Sequence, residues 1–470
     1  MNNTKIIATI GPSSYDKEII REMFNSGMNV VRLNFSHCPH KKARQIIQFV
    51  QELNTELDRN VAVIGDLQGP KIRIGEVENN IKLKKGEILN FTSNKIVGNN
   101  KKVFINHSNF HKEVKLGDKI MIDDGKIVLK VINNDKNFTE GKVIQGGALN
   151  SNKGVNLPNT KISLPCLTKK DLEDLFFCLK YGVEWIGLSF VRSPLDITEL
   201  KKIIAKSNSP AKIIAKIEKP EAIEKIDEII DISDAIMVAR GDLGVEVPIE
   251  KVPNLQKIIT DKCIKNSTPV IIATQMMESM LSNINPSRSD VNDVANAVHD
   301  KVDAVMLSGE TSMGNFPVKV VKTMQKIIKN VEKFTTKNLT DSSYTYKNKN
   351  RFISDFICLN ACSMAKNVRA KAILTMTHSG YNAFKISGFR PPCKICVFTQ
   401  NKKIMNTLSL LWGVRGFYYN KYESTDKTIT DIKNIILKKQ IVKKKDFVIN
   451  IGSMPIKDRG MTNMLKLSMI

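Results

Sequence analysis

One pattern recurs eight times along the chain: a short apolar, β-favouring run that ends in polar or charged residues and is followed by a helical period of hydrophobics. The runs fall at residues 5–9, 29–36, 61–66, 184–190, 212–218, 235–240, 269–274 and 303–308. Eight βα units of this kind predict an α/β protein built on a (β/α)8 barrel, with its chemistry at the C-terminal ends of the strands. Thr9, Arg32, Asn34, Ser36, Asp66, Ser189, Lys216, Glu218, Arg240, Asp242, Thr274, Ser308 and Glu310 all lie at or just past those ends.

The repeat is interrupted once. From Gly69 to Pro165 the helical period gives way to short alternating runs with turn signals, which predicts an inserted β domain, a small barrel or sandwich, over residues 70–165. Inserted at a βα loop, it overhangs the expected site and reads as a lid. The barrel itself is assigned to residues 1–69 and 166–340. After a polar stretch from Thr340 to Asn350, strand-like runs at 372–377, 394–399, 414–419 and 447–451 alternate with helices, giving a C-terminal α/β domain over 341–470. In Thr375-Met-Thr-His-Ser-Gly380, hydroxyls and a glycine stand where backbone N–H groups at a helix start can hold a phosphate, and a plain polar turn is the simpler reading.

Composition narrows the classes. No apolar stretch approaches the ~18 residues of a membrane span, and the N-terminal segment has no signal-like apolar core, so the expectation is a soluble, cytoplasmic protein. The eight cysteines read as reduced core thiols; Cys358, Cys362, Cys393 and Cys396 imitate a zinc set but fall on an apolar helix face and an apolar strand. A net charge of +25 raises nucleic-acid binding, yet the lysines are spread through every segment without interleaved aromatics, which argues against it. The positive field does favour anionic metabolites.

The chemistry concentrates in two segments. In Ile213-Ile-Ala-Lys-Ile-Glu218 the period of two turns Lys216 and Glu218 inward, with Ala215 and Ile217 outward against helices. A structural ion pair is the plain reading of that segment alone. Met237-Val-Ala-Arg-Gly-Asp242-Leu-Gly244 then brings a second carboxylate to the adjacent strand end, and two carboxylates with a lysine suit a Mg²⁺ that bridges a phosphate. Gly241 and the helix expected to open after Asp242 offer N–H groups to an anion. Arg32 and Arg73 are permanent cations suited to bidentate phosphate contacts, and Thr274 adds a hydroxyl at the next strand.

Taken together, Val31-Arg-Leu-Asn-Phe-Ser-His37, Asn152-Lys-Gly-Val-Asn-Leu-Pro158, Ala215-Lys-Ile-Glu-Lys219, Met237 to Glu246 and Ala273-Thr-Gln-Met276 resemble the signature stretches of the pyruvate kinase family, and the resemblance runs from Thr4 to Asn463. It implies a three-domain subunit of a homotetramer that transfers the phosphoryl group of phosphoenolpyruvate to ADP, giving pyruvate and ATP. It further implies that Glu218 and Asp242 bind Mg²⁺, that Lys216 stabilises the transferring group and the enolate, that Arg32, Gly241 and Thr274 hold substrate, and that Arg73 and Lys153 contact the nucleotide. The family's potassium site would match Asn34, Ser36, Asp66 and the residue after it. Here that residue is Leu67, and Lys71 stands where many members carry an acid, so the resemblance implies activity without K⁺. Cys38 replaces a common glycine after His37. The segments from Gly65 and from Thr375 look more like the bacterial form activated by AMP and sugar monophosphates, which would make Thr375, Thr377, Ser379 and Gly380 the effector's phosphate loop. The competing readings are another phosphoenolpyruvate-handling or aldol-type barrel, by fold analogy, and an electrostatic nucleic-acid binder.

Overall fold

The computed structural model describes residues 2–135, 138–158, 160–334, 349–421, 424–454 and 460–470. The stretch expected to part the barrel from the C-terminal region, Thr340 to Asn350, lies outside these apart from its last two residues.

Eight parallel strands close into a barrel: Lys5–Thr9, Val30–Asn34, Ala62–Asp66, Trp185–Leu188, Lys212–Ile217, Ala235–Ala239, Val270–Ala273 and Ala304–Leu307. Closure is made by the first strand pairing with the eighth, Lys5 opposite Ala304. The first strand matches its run, and the other seven are shorter than theirs, because residues at the ends of those runs leave the ladder. The pleat divides the hydrophobics as alternation requires. Ile7, Val30, Ile64, Ile214, Met237 and Met306 fill the barrel interior, whereas Ala215, Ile217, Val238 and Ile272 face the surrounding helices. The helices carry their own start signals: Asp16 caps Lys17–Ser26, and Thr168 and Ser287 form capping boxes with Asp171 and Asp290.

The insertion is a curled six-stranded sheet, in the order Val155–Asn156, Lys119–Ile122, Ile127–Asn134, Thr139–Gln145, Ile88–Thr92, Lys102–Phe104, with a two-stranded ribbon beside it. It has a separate core around Leu89, Phe91, Phe110, Ile120 and Leu129. The run from Val114 to Asp118 is a turn: the Lys115 N–H is accepted by the Asp118 carboxylate and Gly117 has φ +88°.

The C-terminal sheet has five strands, Val414–Tyr418, Lys394–Thr399, Ala372–Met376, Phe447–Gly452 and Met464–Met469 in that order, the last antiparallel. That last strand escaped the sequence reading because Met464-Leu-Lys-Leu-Ser-Met469 is an edge with no following helix to mark it as a βα unit. This sheet seals the lower end of the barrel. Leu410 enters the barrel's inner core, the Lys5 ammonium donates to the Val414 carbonyl at 2.9 Å, and Arg390 pairs with Asp303 at 2.6 Å, both nearly fully buried. Cys358 and Cys362 lie one turn apart in the core on Phe352–Asn367, and burial pushes the Cys396 thiol up to about 12. No helix among the described residues is long and apolar enough to cross a membrane.

Candidate active site

Four strand ends converge at the rim on one connected cluster of charges. Lys216 is held by Glu218 at 3.0 Å and Asp66 at 3.3 Å, and donates to Ser189 Oγ at 2.8 Å. The Ser189 hydroxyl in turn donates a hydrogen bond to the Leu67 carbonyl at 2.7 Å. Arg32 donates from Nε to Asp66 at 2.7 Å and from Nη1 to Thr9 Oγ1 at 2.9 Å. Glu218 takes a further hydrogen bond from the Phe190 N–H at 2.8 Å, an arrangement that requires Phe190 at φ +55°. Asp66 and Glu218 are each 1% exposed, Lys216 and Arg32 each 8%.

The electrostatics follow from this packing. Burial alone would pull the Lys216 pKa down, but Asp66 and Glu218 outweigh it and hold the ammonium above the ordinary lysine range. Burial would likewise raise Asp66, yet Lys216 and Arg32 keep its carboxyl below the usual range. Glu218 is different: burial lifts it, Lys216 only partly offsets this, and the Asp242 charge pushes the same way. The cluster is therefore short of positive charge on its Glu218 and Asp242 side. The mouth beyond is positive, since burial and then Arg73, Lys71, Arg32 and Lys170 depress His37.

The remaining expected residues are distributed around this cluster. The short helix Arg240–Glu246 begins three residues earlier than expected, so Asp242 sits in its first turn rather than ahead of it. The Gly241 N–H is donated to Thr274 Oγ1 at 2.8 Å, which takes that group away from a free anion cradle. Thr274 itself has φ +69°, a strained conformation for a β-branched residue, fixed by its bond to Gly241 and by Arg240 donating to its carbonyl at 2.7 Å. Arg73 and Lys153 both belong to the inserted segment: Arg73 donates to the Asn152 carbonyl at 3.0 Å, and Lys153 pairs with Asp123 at 3.0 Å. The Lys71 ammonium is 3.8 Å from Asp242. Asn34 Oδ1 accepts the Ser36 N–H at 3.1 Å. Far from the rim, Thr377 Oγ1 accepts the Gly380 N–H at 2.9 Å, Gly380 has φ +84°, and Thr377 and Ser379 line a cavity of about 420 Å³ while Thr375 is buried behind it.

The description "Pyruvate kinase, barrel domain" fits residues 1–321, and "Pyruvate kinase, alpha/beta domain" fits residues 355–468. The chain belongs to the pyruvate kinase family. The pyruvate kinase of Corynebacterium efficiens is 38% identical over 99% of this chain and 98% of its own length, and that of Clostridium acetobutylicum is 37% identical over the full length of both. A crystal structure of a pyruvate kinase from Cryptosporidium parvum superposes with a TM-score of 0.93 at 33% identity, covering 100% of this chain and 96% of that one. The pyruvate kinase reaction, the transfer of a phosphoryl group from phosphoenolpyruvate to ADP in glycolysis, is the activity of this chain. Family members generally use Mg²⁺ and usually K⁺.

Three residues that sequence reasoning gave no role form a second, adjoining network. Glu246 accepts from Lys219 Nζ and from Asn156 Nδ2, each at 2.7 Å, and all three are buried. Lys219 follows Glu218, Glu246 ends the helix bearing Asp242, and Asn156 lies on the return strand that follows Lys153. One carboxylate thus joins both rim acids to the inserted sheet. Their presence within the Ala215 to Lys219, Met237 to Glu246 and Asn152 to Pro158 stretches was the available signal. Glu246→Gln keeps the shape but leaves Lys219 without its counter-charge, a loss of about 3–5 kcal/mol for a buried pair. We expect the KM for ADP to rise about tenfold, reflecting roughly 1.4 kcal/mol of misplacement of the inserted sheet, with a smaller change in KM for phosphoenolpyruvate. Steady-state titration of each substrate checks this, and equal shifts in both constants would refute it.

Proposed function

We propose that Lys216 is the residue on which the transfer turns, with Arg32, Gly241 and Thr274 holding phosphoenolpyruvate and Arg73 and Lys153 reaching the nucleotide phosphates. The observation that carries this reading is the Lys216 ammonium, buried and kept charged between Asp66 and Glu218. Phosphoryl transfer needs little covalent help and depends on positioning and neutralising charge around the in-line group. A fixed ammonium at the rim neutralises the phosphoryl oxygens during transfer and the enolate oxygen left behind. The enolate then takes a proton at carbon to give pyruvate. Glu218 and Asp242 would hold Mg²⁺; the fit is supported by two adjacent carboxylates, Glu218 being raised by burial and further by the Asp242 charge. The metal, when bound, supplies further neutralisation of phosphoryl charge.

For Lys153 to meet a nucleotide it must leave Asp123, and movement of the inserted sheet as a lid is the means we assign to that exchange. On this reading the chain divides at 1–69 with 166–340, at 70–165, and at 341–470, and works as a cytoplasmic homotetramer. Lys216→Met should lower kcat by at least about 10³-fold, the upper range for one stabilising group, while circular dichroism reports a retained fold. Near-normal turnover would assign the transition-state charge to another residue.

Lys71 supports activity without K⁺. Three groups that would hold the ion have partners of their own: one Asp66 oxygen accepts from Arg32, Asn34 Oδ1 accepts the Ser36 N–H, and the Leu67 carbonyl accepts from Ser189. Exchanging K⁺ for tetramethylammonium at constant ionic strength should change the rate by less than about twofold. A large loss would show that Lys71 does not replace the ion.

Activation by AMP or sugar monophosphates at Thr375, Thr377, Ser379 and Gly380 is supported by the left-handed Gly380 at a helix start beside an open cavity. Ribose 5-phosphate is expected to lower the half-saturating phosphoenolpyruvate concentration; a superimposable saturation curve removes that effector class.

A further inference from the structure

Where the lower end of the barrel meets the C-terminal sheet lies a cavity of about 480 Å³, opposite in position to the catalytic rim. Its sixteen lining residues include Lys301, Lys366, Arg369, Lys371, Arg390 and Lys394, and one carboxylate, Glu332. A net +5 on sixteen residues is several times denser than +25 on 470, so the chain's general lysine content does not account for it.

The two acids beside this cavity have partners of their own. Glu332 accepts the N–H groups of Asn3 at 3.0 Å and Thr4 at 2.7 Å. Asp303 is committed to Arg390, at 2.6 and 3.2 Å. The other five cations come from separate places: Lys301 from the turn before the eighth barrel strand, Lys366 and Arg369 from the end of Phe352–Asn367, Lys371 just ahead of Ala372–Met376, and Lys394 at the start of Lys394–Thr399. A helix C-terminus attracts cations by its dipole, which explains Lys366 and Arg369 but not the other three. Burial and then the Arg390 charge hold the Lys301 ammonium below its ordinary range.

The walls are not uniformly polar. Ala365, Ala370, Pro391, Cys393 and Trp412 supply apolar surface, with the Arg390 guanidinium 5.4 Å from the Trp412 ring centre. A lysine rim over an apolar wall, in a volume within the usual range for small-molecule pockets, matches an organic phosphate better than a bare ion.

We propose that this cavity is a second anion site, separate from the loop at 375–380, that takes a phosphorylated small metabolite with its phosphoryl group on the Lys301, Lys371 and Lys394 rim and its organic part against the Trp412 side. Because its walls come from both the barrel and the C-terminal sheet, an occupant bridges the two.

Trp412 provides the readout, since the only other tryptophan, Trp185, is buried in the barrel. Ribose 5-phosphate titrated into the full-length chain should give a saturable change in tryptophan emission that ribose does not give and that Trp412→Phe abolishes. Lys371→Glu with Lys394→Glu should weaken the dissociation constant at least about tenfold and leave kcat unchanged. Thr377→Val with Ser379→Ala should leave that constant within about twofold. Retained affinity in the rim variant, loss of the response in the loop variant, or no response to either ribose 5-phosphate or inorganic pyrophosphate overturns the proposal. If charge reversal impairs folding, Lys371→Gln with Lys394→Gln serves instead, with at least about threefold weakening expected.

Discussion

The structure of the rim depends on the burial of Lys216 between two carboxylates. An ammonium taken out of water costs several kcal/mol, and only a counter-charge within hydrogen-bonding reach offsets that. Here the counter-charges come from different strands, so the ion cluster doubles as a tie across the barrel mouth. Arg32 belongs to the second strand, Asp66 to the third, Ser189 lies just past the fourth, and Lys216 belongs to the fifth with Glu218 next to its end. The two cations and two carboxylates cancel. Asp242, in the first turn of the helix after the neighbouring strand, is the excess acid, and its charge adds to burial in raising Glu218.

Much of this could be read from residue order, because a closed barrel converts sequence position into spatial position. Once eight βα units are counted, each polar residue at the end of a run must point to the same rim, and period two fixes Lys216 and Glu218 inward. What the sequence could not carry were contacts between segments far apart in the chain. Asn156 and Glu246 are ninety residues apart, and neither local periodicity nor residue type distinguishes them from a surface pair. The start of the helix at Arg240 was misjudged by three residues because no capping side chain marks it; Ala239 holds the cap position without one. Similarly, the hydroxyl of Ser189 was visible as a strand-end residue, but its role as the link from Lys216 to the Leu67 carbonyl depends on the register of two strands.

The lower end of the barrel shows the same limit. Lys5, Glu184 and Trp185 read as an ordinary strand start and an ordinary strand. In the fold, Lys5 donates to the Val414 carbonyl, Glu184 accepts from Asn406 at 2.9 Å, and Trp185 donates to the Thr407 carbonyl at 3.3 Å. These polar groups face a domain boundary that is sealed from water, and their ionisation records it: burial lowers Lys5 to about 8 and raises Glu184 to about 7. The C-terminal sheet is therefore part of the barrel's floor rather than an appended unit. A ligand in the cationic cavity beside this seam acts on contacts that already join the two.

The place of Lys71 in the chain has a physical consequence of its own. A dissolved K⁺ bound at Asn34, Ser36 and Asp66 would belong to the barrel and stay with it. The ammonium of Lys71 belongs instead to the segment that enters the inserted sheet, between Pro70 and Ile72, and the Gly154 backbone of the return segment packs against its stem so closely that a Cβ there would lie 2.9 Å from Lys71 Cε. Its charge near Asp242 thus depends on where the inserted sheet stands. At 3.8 Å in a half-exposed setting the pair is worth about 4 kcal/mol at most before solvent screening and side-chain entropy reduce it, enough to bias the sheet without locking it. Combined with the Glu246 joint to Asn156, this couples the charge balance of the rim to the position of the segment that carries Arg73 and Lys153. A site balanced by a free ion has no such coupling.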